Sequence, residues 1–292
     1  MRNMKTLTTG ITLLLTLVGC DSSDSQEQVT PPPAQAQKCG DYSLFDEFTC
    51  HSSSDRNSIV YTGGNNEFQG IALFLHGAPG SPYKVMNIFD AKKIAAEYGL
   101  LAVAPTGIEP MWGWYSLNLS DSSNDDVTYI SELITDLRQS YKISEKEVFV
   151  LGYSAGGFMN YKLACQIPEE LTAIISLSGQ FRGDFEQCTT NTPVKVHHLH
   201  SETDNEVPFE GRSIGRILPV EETLSHWQLI NGCNSKIQLM EQDGVTSDSP
   251  GTTTRLYEGC EKSMRFSSLK SVKHEDSYQA DKIWNIISYL FE

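Results

Sequence analysis

One short stretch constrains the fold of this chain most, because it joins a strand to a helix through a serine between glycines. Residues 148–151 read Val-Phe-Val-Leu, which is typical of a buried strand, and residues 158–166 are typical of a helix. Between them stands Gly152-Tyr-Ser154-Ala-Gly156, followed by another glycine. A turn this tight requires small residues two before and two after the serine. The stretch therefore predicts an elbow with Ser154 at the head of a helix, where the Ala155 amide can hold a developing negative charge.

The rest of the chain alternates predicted strands and helices. Strands are predicted at 71–75, 100–104, 171–177 and 194–200, edge strands at 253–257 and 264–266, and helices at 83–98, 125–141, 221–230 and 278–291. Such alternation favours a mostly parallel sheet with helices on both faces. The length of 292 residues, 39% of them hydrophobic, suffices for one sizeable domain and also allows two small ones. With the elbow, this pattern predicts a single α/β-hydrolase domain over residues 41–292.

The N-terminus has the features of an export signal. Arg2 and Lys5 precede an apolar stretch at 7–18, and Cys20 follows small residues, as in a bacterial lipoprotein signal. The stretch is too short for a membrane-spanning helix, which needs about 20 apolar residues. Residues 1–19 are therefore predicted to be a lipoprotein signal peptide, with lipid attached to Cys20. The protein would then be anchored in the bacterial cell envelope, on the periplasmic or surface side. The alternative is an ordinary signal peptide and a secreted protein. The polar, proline-rich residues 20–40 are predicted to form a flexible tether.

Charge and cysteine usage restrict the partners and cofactors. Loss of the two cations in the signal would take the net charge from −15 to −17, which argues against a nucleic-acid partner. Without Cys20, six cysteines remain; an even number in an oxidising compartment favours disulfides, among fifteen possible pairings. The chain contains no Cys-x-x-Cys, so neither a metal nor another cofactor is expected. The oligomeric state is left open.

A serine nucleophile needs a base and an acid, which follow it in the order Ser, Asp or Glu, His in this fold. His274 lies in a polar loop before the last helix, where the chain returns over the serine, and is the predicted base. Asp204 follows the strand at 194–200 and is the predicted acid, with Glu202 and Glu206 as rivals. The other histidines after Ser154 are predicted to have structural roles, and a metal site on that strand is a minor alternative: His197, His198, His200 and His226.

Two backbone amides are needed to stabilise the negative charge that develops on the substrate oxygen, and Ala155 supplies the first. The second should come from the loop after the strand at 71–75. Gly77 lets the backbone turn so that the Ala78 amide can point at the site, while His76 is expected to shape the loop. Three aromatic residues are the predicted substrate contacts, with packing in the core as the alternative for the tryptophans: Trp112, Trp114 and Tyr153.

These segments together resemble the polyhydroxybutyrate depolymerase/feruloyl esterase family. The similar segments are Leu75-His-Gly77, Trp112-Gly-Trp114-Tyr, Asn124-Asp-Asp-Val127, Gly152-Tyr-Ser-Ala-Gly-Gly157 with Cys165, His200-Ser-Glu-Thr-Asp204-Asn-Glu-Val-Pro208, and Trp227 to Cys233 with Tyr257-Glu-Gly-Cys260. The resemblance covers residues 70–292 and implies Ser154, Asp204 and His274 as the triad. With closeness in the chain, it implies the disulfides Cys39–Cys50, Cys165–Cys188 and Cys233–Cys260. The chain departs from the family's Gly-His-x-Trp-Pro, having Lys273-His-Glu-Asp276, and lacks the usual Cys-Gly-Gly after Gly77.

The resulting prediction is a lipid-anchored serine esterase that cleaves carboxylic esters through an acyl-enzyme. Its expected substrates are feruloyl or acetyl esters of polysaccharides, or hydroxyalkanoate oligomers, in small or oligomeric form. A serine peptidase on the same fold and a non-catalytic surface-binding lipoprotein are the alternatives. A peptidase would usually carry a propeller or cap domain, which this length does not hold.

Overall fold

The computed structural model describes residues 37–107, Trp112 and residues 126–292. Its first elements are two short strands, β1 (Lys38–Cys39) and β2 (Tyr42–Ser43), which pair antiparallel. Cys39 is fully buried. The folded part therefore begins before residue 41, the boundary expected from composition. The predicted signal and most of the tether, Cys20 included, lie outside the described residues.

A single ten-stranded sheet organises the remaining elements. Its strands are β3 (Thr49–Ser53), β4 (Arg56–Tyr61), β5 (Gly70–Leu75), β6 (Leu100–Pro105), β7 (Glu147–Tyr153), β8 (Ala173–Leu177), β9 (Lys195–His200), β10 (Ile237–Gln242), β11 (Thr252–Tyr257) and β12 (Met264–Leu269). Their order across the sheet is β10-β11-β12-β9-β8-β7-β5-β6-β4-β3. The six strands from β12 to β6 are parallel, and the outer strands at both ends pair antiparallel. The predicted mostly parallel sheet is confirmed.

Helices cover both faces of this sheet. They are α1 (Pro82–Ile88), α2 (Ala91–Tyr98), α3 (Asp126–Ser140), α4 (Ala155–Gln166), α5 (Val220–Ile230) and α6 (Ala280–Ile287), which a 3-10 turn (Ser288–Phe291) extends. In β7, Val148 and Val150 belong to the core shared with α3, α4 and α5, whereas Phe149 and Leu151 belong to the core shared with α1, α2 and α6. Successive strand residues face opposite ways, so each face of the sheet has its own core.

The predicted helix at 83–98 is in fact two helices. Asp90 has a left-handed backbone with φ of 53°, and its carboxylate accepts a hydrogen bond from the Lys93 amide, which caps α2. The apolar spacing of the two helices is continuous enough to conceal this break. The prediction that β11 and β12 are edge strands is also wrong, because β10 pairs outside β11 and β12 lies beside β9.

Three disulfides tie peripheral segments to the domain. Cys39–Cys50 joins β1 to β3, Cys165–Cys188 joins the end of α4 to a later loop, and Cys233–Cys260 joins the segments after α5 and β11. The predicted pairing is confirmed. Each closed loop contributes about 2–4 kcal/mol to stability in the chain-entropy account. Within the described ranges, no helix is both long and apolar enough to cross a bilayer.

Candidate active site

Ser154 stands on the predicted elbow between β7 and α4. Its backbone has φ of 54° and ψ of −113°, and it occupies the N-cap position of α4. A Cβ added to Gly156 would lie 1.9 Å from the Leu75 carbonyl oxygen, and one added to Gly152 would lie 2.2 Å from the Gly156 carbonyl oxygen. Only glycine allows these approaches, so the flanking glycines are required by packing as the motif predicts.

His274 connects this serine to the predicted acid. Its Nε2 lies 2.8 Å from Ser154 Oγ, and its Nδ1 lies 2.7 Å from Asp204 Oδ2. All three residues are buried, with exposed fractions of 9% for Ser154, 3% for His274 and 4% for Asp204. Segments 50 and 70 residues apart in the chain thus meet in one line of hydrogen bonds, the arrangement needed for nucleophile, base and orienting acid.

Both carboxylate oxygens of Asp204 have hydrogen-bond partners. Its Oδ1 accepts hydrogen bonds from the amides of Glu206 and Val207 at 3.0 and 2.9 Å, which leaves Oδ2 for His274. Burial raises the pKa of Asp204, but the hydrogen bond and charge of His274 and the Val207 amide outweigh it, so the pKa is lowered overall. The rival acids Glu202 and Glu206 are exposed. Of these three residues, only Asp204 meets His274.

Tyr153 holds the loop that carries His274. Its hydroxyl lies 2.7 Å from the His274 carbonyl oxygen and 3.0 Å from Glu275 Oε1, and its ring stacks on the imidazole at 5.4 Å. Glu275 also pairs with Lys84 of α1. Tyr153 is only 2% exposed. The prediction that Tyr153 contacts substrate is therefore corrected: this buried side chain supports the loop that carries His274.

The loop after β5 lies directly against the serine. A Cβ added to Gly77 would lie 3.3 Å from Ser154 Cβ, so the Gly77 backbone, next to Ala78 in the chain, packs against the serine residue. His76 Nδ1 donates to the Gly77 carbonyl at 2.7 Å, and its Nε2 accepts from the Gly107 amide at 3.1 Å. Burial lowers the pKa of His76, which favours this neutral form. The expectation that His76 shapes the loop agrees with these contacts.

Trp112 supports the same loop. Its indole Nε1 donates to the His76 carbonyl at 2.9 Å, and the two rings lie 4.8 Å apart. At 1% exposed, Trp112 packs beneath the loop, so its predicted substrate contact is corrected to the packing alternative. Trp114 lies outside the described residues.

The histidines of β9 all have structural partners. His197 faces α6 and lies 2.8 Å from Ser267 Oγ, whereas His198 and His200 face the opposite core. His226 of α5 stacks on Phe185 at 4.1 Å. Among the described residues, no group of three or more His, Cys, Asp or Glu side chains is arranged to hold a metal ion.

Comparison with known proteins places this geometry in a family. A family model described as phospholipase/carboxylesterase matches residues 63–215, more than half of the chain, and this range includes Ser154 and Asp204. The chain belongs to the phospholipase/carboxylesterase family. The predicted carboxylic ester hydrolase is thereby confirmed at the level of the family.

Individual relatives agree with this assignment. The chain is 23% identical over 221 residues, 75% of its length, to the bifunctional acetylxylan esterase/xylanase XynS20E of Neocallimastix patriciarum, and covers 31% of that protein. It is 25% identical over 188 residues, 56% of its length, to a probable feruloyl esterase C of Aspergillus niger, and covers 66% of that protein. The chain thus spans less than two thirds of either relative. The predicted resemblance to feruloyl esterases is confirmed.

A solved structure confirms the fold. The acetyl xylan esterase from Aspergillus awamori superposes with a TM-score of 0.60 at 14% identity, covering 84% of this chain and 99% of that one. At this identity the likeness extends to the fold alone, which is the predicted α/β-hydrolase fold.

The sequence did not reveal the residues that hold the triad in place. These groups are the Tyr153 hydroxyl, the amides of Glu206 and Val207, and the Glu275 carboxylate, and no sequence pattern assigns them this role. The strand pattern does predict that Tyr153 is buried, because it stands two residues after Leu151 and both side chains lie on the same face of β7.

Proposed function

We propose that this chain is a serine carboxylesterase in which Ser154 is the nucleophile, His274 the general base and Asp204 the orienting acid. The observation that carries the proposal is the position of His274, which is within hydrogen-bond distance of Ser154 Oγ through Nε2 and of Asp204 Oδ2 through Nδ1. A carboxylate accepts, so Nδ1 holds the proton and Nε2 is free to take one from the serine. This is the protonation state that a general base needs.

The reaction follows from this arrangement. Ser154 Oγ attacks the ester carbonyl carbon while its proton passes to His274 Nε2, and the tetrahedral oxyanion is held by the amides of Ala155 and Ala78. The imidazolium then gives the proton to the leaving alcohol, and the acyl group remains on the serine. Water, deprotonated by the same histidine, attacks the acyl-enzyme and releases the acid. Asp204 stabilises the imidazolium in both halves of the cycle.

The proposed substrates are acetyl or feruloyl esters of polysaccharides. The support is that one relative is called an acetylxylan esterase/xylanase and another a probable feruloyl esterase. Hydroxyalkanoate oligomers are the second class and rest on the sequence resemblance. The partner is in each case a small or oligomeric ester.

A panel of purified esters tests both parts of the proposal. The parent should hydrolyse a nitrophenyl ester, and Ser154→Ala should lower kcat by several orders of magnitude because the three side chains act as a unit. Ser225→Ala is the control, since Ser225 is exposed on α5 and its hydroxyl bonds the Glu221 carbonyl of the same helix. Among acetylated sugars, feruloylated sugars and hydroxybutyrate oligomers, a sugar ester should give the highest kcat/KM. Full activity of Ser154→Ala would contradict the mechanism, and preference for the oligomers would contradict the substrate class.

We further propose that the protein is anchored to the bacterial cell envelope by lipid on Cys20. The apolar stretch at 7–18 and the small residues before Cys20 support this, as does the occurrence of three disulfides, which suit an oxidising compartment. Cys20→Ala should release the protein from the membrane fraction or leave it unprocessed. Membrane partition equal to that of the parent would contradict the anchor.

A further inference from the structure

A buried chain of hydrogen bonds runs from α4 to the turn that holds Asp204. Tyr161 Oη lies 2.9 Å from His198 Nδ1, and His198 Nε2 lies 3.2 Å from His200 Nδ1. His200 Nε2 in turn lies 2.9 Å from the Val207 carbonyl oxygen. All three side chains are fully buried. The mechanism proposed above uses none of them.

The direction of every hydrogen bond in this chain follows from its last member. The Val207 carbonyl can only accept, so His200 carries its proton on Nε2. Neutral His200 then accepts at Nδ1 from Nε2–H of His198. His198 accepts at its own Nδ1 from the Tyr161 hydroxyl. Each proton has one place, and each ring is an Nε2–H tautomer.

The surroundings keep both imidazoles neutral. Burial lowers the pKa of His198 well below its ordinary value, and burial lowers the pKa of His200 to about 4. The charged and titratable groups around the two rings are Asp204, His274, His197, Tyr161 and Arg255. A second proton on His200 would place two N–H groups against each other at the 3.2 Å contact, so the chain is stable only in its neutral form.

The turn at 204–207 links this chain to the triad. Val207 accepts from His200 through its carbonyl and donates through its amide to Asp204 Oδ1 at 2.9 Å. His200 Nε2 is 3.7 Å from Asp204 Oδ2, beyond a hydrogen bond, so His200 leaves that oxygen to His274. We propose that His200 is a positioning residue: it holds the Val207 end of the turn so that Asp204 meets His274, and His198 with Tyr161 fixes its ring. This inference rests on the proposed function.

Two amide substitutions separate positioning from simple packing. In His200→Gln the amide nitrogen can reach the place of Nε2 and still donate to Val207, whereas in His200→Asn it reaches only the place of Nδ1. We expect His200→Gln to keep kcat within about 10-fold of the parent and His200→Asn to lose about 100-fold, as small misplacements at an active site do. KM should stay within about threefold in both, because neither change touches bound substrate. Equal kcat values for the two variants would overturn the proposal.

His197 is the matched control. It is fully buried on the same strand, but it faces the opposite core and lies against Ser267. His197→Gln and His197→Asn should lower stability and leave kcat of the folded protein within about twofold. A loss of kcat in His197→Asn as large as that in His200→Asn would show a general effect of damaging β9 and would overturn the proposal.

Two NMR measurements do not depend on turnover. The low-field resonance of the proton between His274 Nδ1 and Asp204 should persist in His200→Gln and be lost or shifted in His200→Asn. In the parent, which needs no variant to fold, ring ¹⁵N shifts should show both His198 and His200 as neutral Nε2–H tautomers from pH 5 to 8. An Nδ1–H tautomer or a positive charge on His200 at pH 6 would overturn the proposal.

Ser154→Ala distinguishes the possible failures. If Ser154→Ala is inactive and the two His200 variants are equal, only the positioning role fails. If Ser154→Ala stays active, the proposed function fails, and the resonance between His274 and Asp204 still decides whether His200 holds the carboxylate.

Discussion

At the scale of single residues, the hydroxyl of Tyr153 has a consequence for the histidine next to it. The hydroxyl bonds the carbonyl of His274, and the ring stacks on the imidazole, so Tyr153 fixes both the backbone and the plane of the base. Burial, with Tyr278 and Glu275 nearby, raises the pKa of Tyr153 well above its ordinary value, so the phenol keeps its proton. The chain has Lys-His-Glu-Asp where the resembling family has Gly-His-x-Trp-Pro, and Glu275 of that sequence also reaches the phenol.

Tyr153→Phe should therefore affect catalysis more than folding. Loss of the hydrogen bond should cost about 1 kcal/mol of unfolding free energy and lower kcat about 10-fold, with KM little changed. Tyr98→Phe is the control, since that hydroxyl also faces a backbone carbonyl, at 3.4 Å, but lies against Ser288. Urea denaturation and steady-state kinetics of both variants measure the two effects. Equal kcat in Tyr153→Phe and Tyr98→Phe would contradict the role of this hydroxyl.

At the scale of elements, β9 carries three fully buried histidines at positions 197, 198 and 200. Burial lowers the pKa of His197 to about 3, lowers that of His200 to about 4, and lowers that of His198 well below its ordinary value. Between pH 6.5 and about 4 the unfolded chain thus binds protons at these positions that the native protein does not bind. Stability consequently rises with pH in this window and falls on acidification.

We expect the unfolding free energy to drop on acidification below pH 6.5, with a slope that approaches about 1.4 kcal/mol per pH unit near pH 5 for each histidine that stays neutral in the native state. Urea denaturation at a series of pH values measures this slope. His200→Gln, which cannot titrate, should reduce it. Asp204 affects stability in a separate, more acidic pH range. Because its pKa is lowered in the native protein, the stability it contributes is lost only as pH falls below the ordinary value of 3.8. Constant stability from pH 6.5 to 5 would contradict the buried neutral histidines.

The elements that the sequence predicted well are those with strong periodicity. The helix predicted at 125–141 is Asp126–Ser140, because its apolar residues recur at helical spacing. Strands β3 and β4 were not predicted, since the polar run His51-Ser-Ser-Ser-Asp55 covers most of β3 and the turn after it, and the pairing of β4 with β6 is a tertiary contact. Strand β10 was not predicted because its residues are largely exposed and carry no inward-facing pattern.

At the scale of the whole molecule, the parallel strands bring the site together. Ser154 follows β7, Asp204 follows β9 and His274 follows β12, so all three leave the sheet at the carboxyl ends of its strands. Chain order and strand ends are readable from sequence, and for this reason the sequence alone predicts all three residues. The supporting network is not predictable from sequence. The contacts that link Tyr161, His198 and Val207 form only when β9 pairs with its neighbours and packs on α4. The predicted substrate contacts of Trp112 and Tyr153 were wrong for a related reason, since their burial depends on tertiary packing.

Covalent labelling of the intact protein tests the central claim, that Ser154 is an activated nucleophile, most directly. An aryl phosphonate ester should add one phosphonyl group per chain, and peptide mass mapping should place it on Ser154. His274→Ala should react far more slowly, because the serine then loses the base whose Nε2 lies 2.8 Å from its Oγ. A label on another residue, or equal labelling rates in the parent and His274→Ala, would contradict the account.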